Sequence, residues 1–512
     1  MSAIERLAGA VLCAGFEGAR ADDVLLDRLA ALAPGGIVLF GRNAGRAAEV
    51  ATLVEAIVAR VRSPLLVAVD QEGGRVARLR DGVPELPSAM AFAAAGDPGA
   101  TERAVRGMAV ALRSAGINVD FAPCADLAIE PANTVIGARA YGDDATRAGE
   151  HVAAFVRGLH SGGVLACVKH APGHGATTGD SHVELPLLRA DRARLEAREL
   201  VPFAAGIDAG ARLVMIGHIV AAAIDPDRPA TLSPAVIAYV RERLAYDGAI
   251  VSDCLTMAAV AQRGIGAAAV AALAAGIDWL IVSRLDEAFE ARDAVVQAVR
   301  TGALPEARLT EAAGRIEAVR RSLLPVVSPS TDDADVGRAT ARDAVTAVRG
   351  EPRLRDDRPV TVVSFEGPLG DGIANEAASP SLSFALRMRR WKSEHLRVSL
   401  EPDGDEMSLL LALLASQPNR NVVIVARRAH RYPAQLRAIG SIVERVPDAI
   451  VVSAREPFDV GLFDARTVIA IYGDEAISFE GLADVLSGRA PARGTVPVRV
   501  PSAIDGATAH AQ

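Results

Sequence analysis

Lysine is nearly absent from this sequence. Of 512 residues only Lys169 and Lys392 are lysines, although lysine and arginine together number 55. Arginine supplies the general positive charge, so an isolated lysine points to a need for a compact three-donor cation rather than a planar fork. Cysteine is also scarce. Cys13, Cys124, Cys167 and Cys254 form no C-x-x-C pair, and each lies in or beside an apolar run. They read as buried free thiols, which fits a reducing compartment. There is no basic excess: the formal net charge is −8 with both signs interspersed, which argues against nucleic acid or an anionic membrane as partner. No apolar run approaches a membrane span. The opening M-S-A-I-E-R has no basic segment followed by a long apolar one. The expectation is a soluble, cytoplasmic protein. Aromatic residues make up 4%. With Ala, Arg, Gly and Val abundant, this reads as composition bias and carries no function.

What is present is a large apolar fraction, 50%, and a repeated alternation. Strand-like runs occur at 9–16, 36–40, 65–70, 117–121, 164–170, 213–218, 249–253 and 278–282. Segments of helical periodicity, such as 22–32, 47–62, 101–115 and 146–161, lie between most of them. Eight β-then-α units predict a (β/α)8 barrel, with a doubly wound sheet as the alternative. Asp70, Asp120, Lys169, His170, His218 and Asp253 fall at or near the C-terminal ends of their runs. Barrel enzymes assemble their sites on that face.

A helix at 308–324 closes this part, and the stretch 325–336, rich in Pro, Ser and Asp, reads as a linker. The expected division is a catalytic barrel at 1–325, a linker at 326–337 and a smaller α/β domain with a mostly parallel sheet at 338–512. In that last part strands are expected at 360–364, 422–426, 449–453 and 467–472, helices at 407–415, 434–446 and 479–487, and an edge strand at 491–500. The stretch G-P-L-G-D-G at 367–372 is too weak a pattern for a phosphate loop.

The densest chemistry is K-H-A-P-G-H-G-A-T-T-G-D-S-H at 169–182. His170, His174, His182 and Asp180 could be read as zinc ligands, but Pro172 and Gly173 break the helix that would space them. No metal and no cofactor are expected. In D-S-H, Asp180 can orient the His182 imidazole and raise its pKa, which suits a general acid that later acts as base. The plainer reading is a solvated loop histidine. Asp253, in A-I-V-S-D-C-L-T-M, is placed to attack an electrophilic carbon or, more plainly, to cap a following helix.

The segment K-H-A-P-G-H-G-x-x-x-x-D-S-H resembles the signature of the glycoside hydrolase family 3 β-N-acetylglucosaminidases, with Ala171 where these enzymes usually carry an aromatic. Further stretches match in order: V-D-Q-E-G-G-R-V-A-R-L from Val69, N-V-D-F-A-P from Asn118, I-G-A-R-A-Y-G-D-D from Ile136 (Tyr141 for the more usual Phe), P-A-T-L-S from Pro229 and S-D-C-L-T-M from Ser252. The resemblance covers roughly residues 5–325; the remainder is more loosely similar to the α/β domain of two-domain members. It implies Asp253 as nucleophile, His182 as acid/base paired with Asp180, and Asp70, Arg78, Arg139, Lys169 and His170 as sugar-binding residues. Glu72 and Arg75 are expected to pair with each other and shape their loop, and His174 and His218 to be scaffold or rim residues. The implied substrate is an amino-sugar oligosaccharide or muropeptide, cleaved with retention. A phosphorylase on the same site and a noncatalytic amino-sugar-binding protein are the alternatives.

Overall fold

The computed structural model describes residues 1–61, 64–177, 185–328, 333, 335–367 and 381–500. Eight strands build the first large sheet: β1 (Leu12–Ala14), β2 (Gly36–Leu39), β3 (Leu66–Val69), β4 (Val119–Asp120), β5 (Leu165–Ala171), β6 (Leu213–Ile216), β7 (Ala249–Ser252) and β8 (Leu280–Val282). They form one parallel sheet in the order β7-β6-β5-β4-β3-β2-β1-β8. Its two ends meet through a parallel bridge between Val251 and Trp279. The Ser252 N–H also donates to the Trp279 carbonyl at 2.9 Å. An open doubly wound sheet would leave β7 and β8 far apart, so the fold is the nearly closed barrel.

Every one of the eight strand-like runs became a strand, for a reason visible in the packing. Leu66, Ala68, Leu165, Cys167, Leu213, Met215, Ala249 and Val251 fill the barrel interior. The residues between them, among them Val67, Ala166, Val168, Val214 and Ile250, pack outward against the helices. Strands buried on both faces read as continuous apolar runs. The first run began too early: Gly9 and Ala10 end the helix Ala3–Ala10, which a Ser2–Glu5 capping box starts. The expected helices appear as Asp23–Leu32, Ala47–Val61, Pro98–Ser114 and Ala145–Ser161. Asp22 and Asp144 cap the first and last of these through bonds to backbone N–H groups.

The second sheet contains β9 (Thr346–Arg349), β10 (Val360–Glu366), β11 (Ser393–Ser399), β12 (Asn421–Ala426), β13 (Ile450–Ser453) and β14 (Thr467–Ala470). Its order is β9-β14-β13-β12-β10-β11, and all pairs are parallel except β9 with β14. The expected edge strand at 491–500 is not one. Pro491 and Pro497 carry no N–H for a ladder. The segment instead runs as an irregular strap back to the barrel: Thr495 N–H donates to the Ala94 carbonyl at 3.0 Å, Asp143 N–H to the Pro497 carbonyl at 3.2 Å, and Arg499 N–H to the Asp143 carboxylate at 2.8 Å. The edges are β9 and β11. Among the described residues, no helix is long and apolar enough to cross a membrane.

Candidate active site

The C-terminal ends of the barrel strands open into a cavity of about 320 Å3, within the usual range for small-molecule sites. Asp70, Arg78, Arg139, Lys169, His170 and Asp253 all line it, with Glu72 and His174. Asp180 and His182 lie outside the described residues. A larger cleft of about 590 Å3 at the N-terminal ends of β12, β13 and β14 is ringed by arginines such as Arg353, Arg420 and Arg445. It contains none of these residues.

Lys169 explains its own rarity. Its Nζ lies 2.7 Å from Asp70 Oδ1 and 2.7 Å from Glu72 Oε1 while its side chain is almost wholly buried. Burial alone would favour the neutral amine, but the two carboxylates lift its pKa above the ordinary lysine value. Arg139 approaches Glu72 from the other side with a forked pair, Nε to Oε2 at 2.8 Å and NH2 to Oε1 at 2.7 Å. Burial opposes the charge on Glu72, yet Arg139 and Lys169 hold its carboxyl well below the usual range. Glu72 was expected to pair with Arg75. Its partners are Arg139 and Lys169 instead, and Arg75 donates to the Thr134 and Val135 carbonyls at 2.7 and 2.9 Å. Arg78 stands 3.7 Å from Asp70 Oδ2.

A second network orients the histidines. Asp126 Oδ2 accepts from His170 Nδ1 at 2.7 Å and from the His170 backbone N–H at 3.1 Å. Its Oδ1 accepts from the His174 N–H at 2.6 Å. The ring Nε2 of His170 then lies 3.5 Å from Arg139 NH2. Burial pushes the His174 pKa down to about 4, so its ring stays neutral. His218 is buried between Thr231 Oγ1 at 2.7 Å and the Cys254 carbonyl at 2.9 Å, a scaffold position. Asp120 is also inside the barrel wall rather than in the cavity: its Oδ1 accepts from the Gln71 N–H at 2.9 Å, and burial raises its pKa well above the ordinary value.

Asp253 does not cap a helix. The next one, Ala258–Ala261, starts after Met257, and the Asp253 carboxylate accepts from the neighbouring Cys254 N–H at 2.7 Å. The one group of metal-ligating atoms among the described residues is Cys124, Asp126 and His170, mutually within 4.8 Å. Its geometry is that of a hydrogen-bonded trio. The Cys124 thiol donates to Asp126 at 3.3 Å, and burial, reinforced by Asp126, raises its pKa well above the ordinary value, which disfavours a thiolate ligand. All four cysteines are free; Cys254 is only partly buried.

Sequence reasoning missed Asp126 and undervalued Glu72. A signal for Asp126 exists: it is the only charged residue between Phe121 and Ile129.

Comparison with known proteins gives the family. Residues 14–319 match the model of the glycosyl hydrolase family 3 N terminal domain. A beta-hexosaminidase of Methylococcus capsulatus is 42% identical over 261 residues, which is 50% of this chain and 77% of that protein. One from Stenotrophomonas maltophilia is 40% identical over 267 residues, 50% of this chain and 79% of that protein. The structure of a glycoside hydrolase family 3 beta-N-acetylglucosaminidase from Paenibacillus sp. str. FPU-7 superimposes with a TM-score of 0.91 at 33% identity, covering 98% of this chain and 99% of that one. A barrel lined at its C-terminal mouth by these carboxylates and cations, and a family match over most of its length, make this chain a glycoside hydrolase belonging to glycosyl hydrolase family 3.

Proposed function

We propose that the chain is a retaining exo-β-N-acetylglucosaminidase that releases terminal non-reducing N-acetylglucosamine from short oligosaccharides or muropeptides. The observation that carries this reading is the shared cavity. Asp253 lines the same space as Asp70, Arg78, Arg139, Lys169 and His170, so an anion for the anomeric carbon faces the hydroxyl-binding groups across one small volume. Asp253 attacks the anomeric carbon, and the bond to the leaving oxygen breaks as that oxygen takes a proton from His182. Water then attacks the glycosyl-enzyme, gives its proton to His182 and frees Asp253. Asp180 orients the imidazole. The roles of His182 and Asp180 rest on the D-S-H motif; the activity draws support from the names borne by the relatives.

The division proposed is a barrel at 1–325, a linker at 326–337 and an α/β domain at 338–512. It is supported by the closing helix Glu306–Arg321 and by the first strand of the second sheet, which starts at Thr346. Free thiols suit a cytoplasmic enzyme that trims recovered cell-wall fragments.

Turnover of an aryl β-N-acetylglucosaminide against the matching aryl β-glucoside, in phosphate buffer, tests the function. The expected result is preference for the amino sugar by roughly a hundred-fold or more, with free N-acetylglucosamine as product. Preference for the glucoside, release of a sugar 1-phosphate, or binding without turnover would each overturn the reading.

A further inference from the structure

We infer that the second domain supports the substrate cavity from behind: its buried Arg428–Glu456 ion pair positions the barrel loop that carries Arg139. The inference rests on the reading of Arg139 as a sugar-binding residue.

The loop from Pro131 to Tyr141 leaves β4 and delivers Arg139 to the cavity. One side of it is held by the barrel. Asn133 Nδ2 donates to the His174 and Thr177 carbonyls at 2.9 and 3.0 Å. The other side is held by the second domain. Ala138 N–H donates to Glu456 Oε1 at 3.3 Å, Arg428 NH2 to the Thr134 carbonyl at 3.2 Å, and His430 Nε2 to the Pro131 carbonyl at 3.2 Å. Three backbone positions of one loop are thus bound by three side chains from the other domain.

The binding groups are themselves fixed. Arg428 grips Glu456 with Nε at 2.8 Å and NH2 at 3.0 Å, and the two are 2% and 3% exposed. Burial opposes the charge on Glu456, but Arg428 holds its carboxyl well below the ordinary range, so the pair stays ionised. Asp459 supports the turn from beneath, accepting from the Ala429 N–H at 2.9 Å and from Ser453 Oγ at 2.6 Å. The loop in turn is shaped to receive the carboxylate. Gly137 has φ +46°, and a Cβ there would stand 2.0 Å from Glu456 Oε1. Val135, Ile136, Ala138 and Ala140 belong to the same apolar cluster as Phe458, Val460 and Phe365 of the second domain.

From this support the coupling is short. Ala138 precedes Arg139, whose guanidinium binds Glu72; Glu72 binds Lys169, and Lys169 binds Asp70. Among the described residues, the side-chain ion pair of Glu456 is with Arg428 and its bond to the barrel is to the Ala138 N–H, so it is a positioning residue.

A double-mutant cycle in the full chain tests this, with KM, kcat and thermal midpoint measured on the aryl β-N-acetylglucosaminide. Glu456→Ala is expected to raise KM roughly ten-fold. Arg139→Ala should raise it at least as much, and the double variant no further than Arg139→Ala alone, because the two act through one group. If Glu456→Ala does not fold, Glu456→Gln, which keeps an acceptor for Ala138 N–H but loses the ion pair, should give a smaller rise in the same non-additive pattern. A Glu456 variant with a lowered thermal midpoint but wild-type KM would overturn the inference, as would additive effects in the cycle. Wild-type KM in Arg139→Ala would instead overturn the reading of Arg139 and the inference with it.

Discussion

Asp126 holds His170 at two points at once, ring Nδ1 at 2.7 Å and backbone N–H at 3.1 Å, both on Oδ2. A single buried oxygen therefore sets both the tautomer and the direction of the imidazole. Its Nε2 is left to face Arg139 and the cavity. Asp126→Asn keeps one acceptor oxygen but places an amide N–H group against another donor. The expected cost is about 1–3 kcal/mol, read as a lower thermal midpoint, together with a raised KM. Unchanged values for both would show that His170 is held by its packing alone.

Removing Lys169 takes a shared cation from two acids, leaving Glu72 to Arg139 and Asp70 to Arg78. Lys169→Met leaves Asp70 and Glu72 without their shared ammonium, 2.7 Å from each. Breaking one side of a buried ion pair costs on the order of 3–5 kcal/mol, and chemical denaturation should show a loss of that order. Lys169→Arg should not restore it, because a planar fork cannot occupy a point bounded by two carboxylates.

Asp253→Ala is expected to lower kcat by at least ~100-fold, since the positive charge developing at the anomeric carbon loses its anion. The folded state should survive, because Asp253 lines the open cavity rather than the packed barrel core. A variant retaining more than roughly a tenth of wild-type activity would remove Asp253 from the nucleophile's role.

His182→Ala should be far less impaired on a dinitrophenyl substrate than on an alkyl one, because dinitrophenolate departs without protonation. The second step also uses His182, so the glycosyl-enzyme should accumulate and give a burst of phenolate. Equal damage on both substrates with no burst would place the acid elsewhere.

Glu475 gives a pH dependence with a definite sign. Burial, with Asp474 beside it, raises its pKa from 4.5 to about 7. The fold binds its proton more tightly than the unfolded chain does. Its contribution to stability is therefore full below the unfolded value and is lost as pH rises through about 7. Glu475→Gln carries no such loss. The difference in thermal midpoint, variant minus wild type, should grow more positive from about pH 5 to about pH 8. A flat difference would mean that Glu475 titrates normally.

The barrel was legible because its strands are buried on both faces: the run ending at Asp70 is apolar at every position before it. β11 was not legible because S-E-H-L-R-V-S carries polar residues on both faces at an edge. In the site, scarcity singled out Lys169, and the run ends located Asp70, His170 and Asp253. Glu72 was misread for a physical reason. Its partner Arg139 lies 67 residues away, whereas Arg75 is in the same loop, and local sequence cannot weigh a distant guanidinium against a near one. Asp126 acts through backbone and imidazole N–H groups and the Cys124 thiol, a role that leaves no spacing pattern.

The strap at residues 494–499 has a consequence for biosynthesis. Its partners Ala94 and Asp143 leave the ribosome some 350 residues or more before it does (Asp143 and Arg499 are 356 apart). At roughly 5–20 residues per second, the barrel can close its strands tens of seconds before the segment that fastens this rim exists. The rim of the nascent barrel therefore waits, its Ala94 carbonyl and the N–H and carboxylate of Asp143 facing water until residues 494–499 arrive.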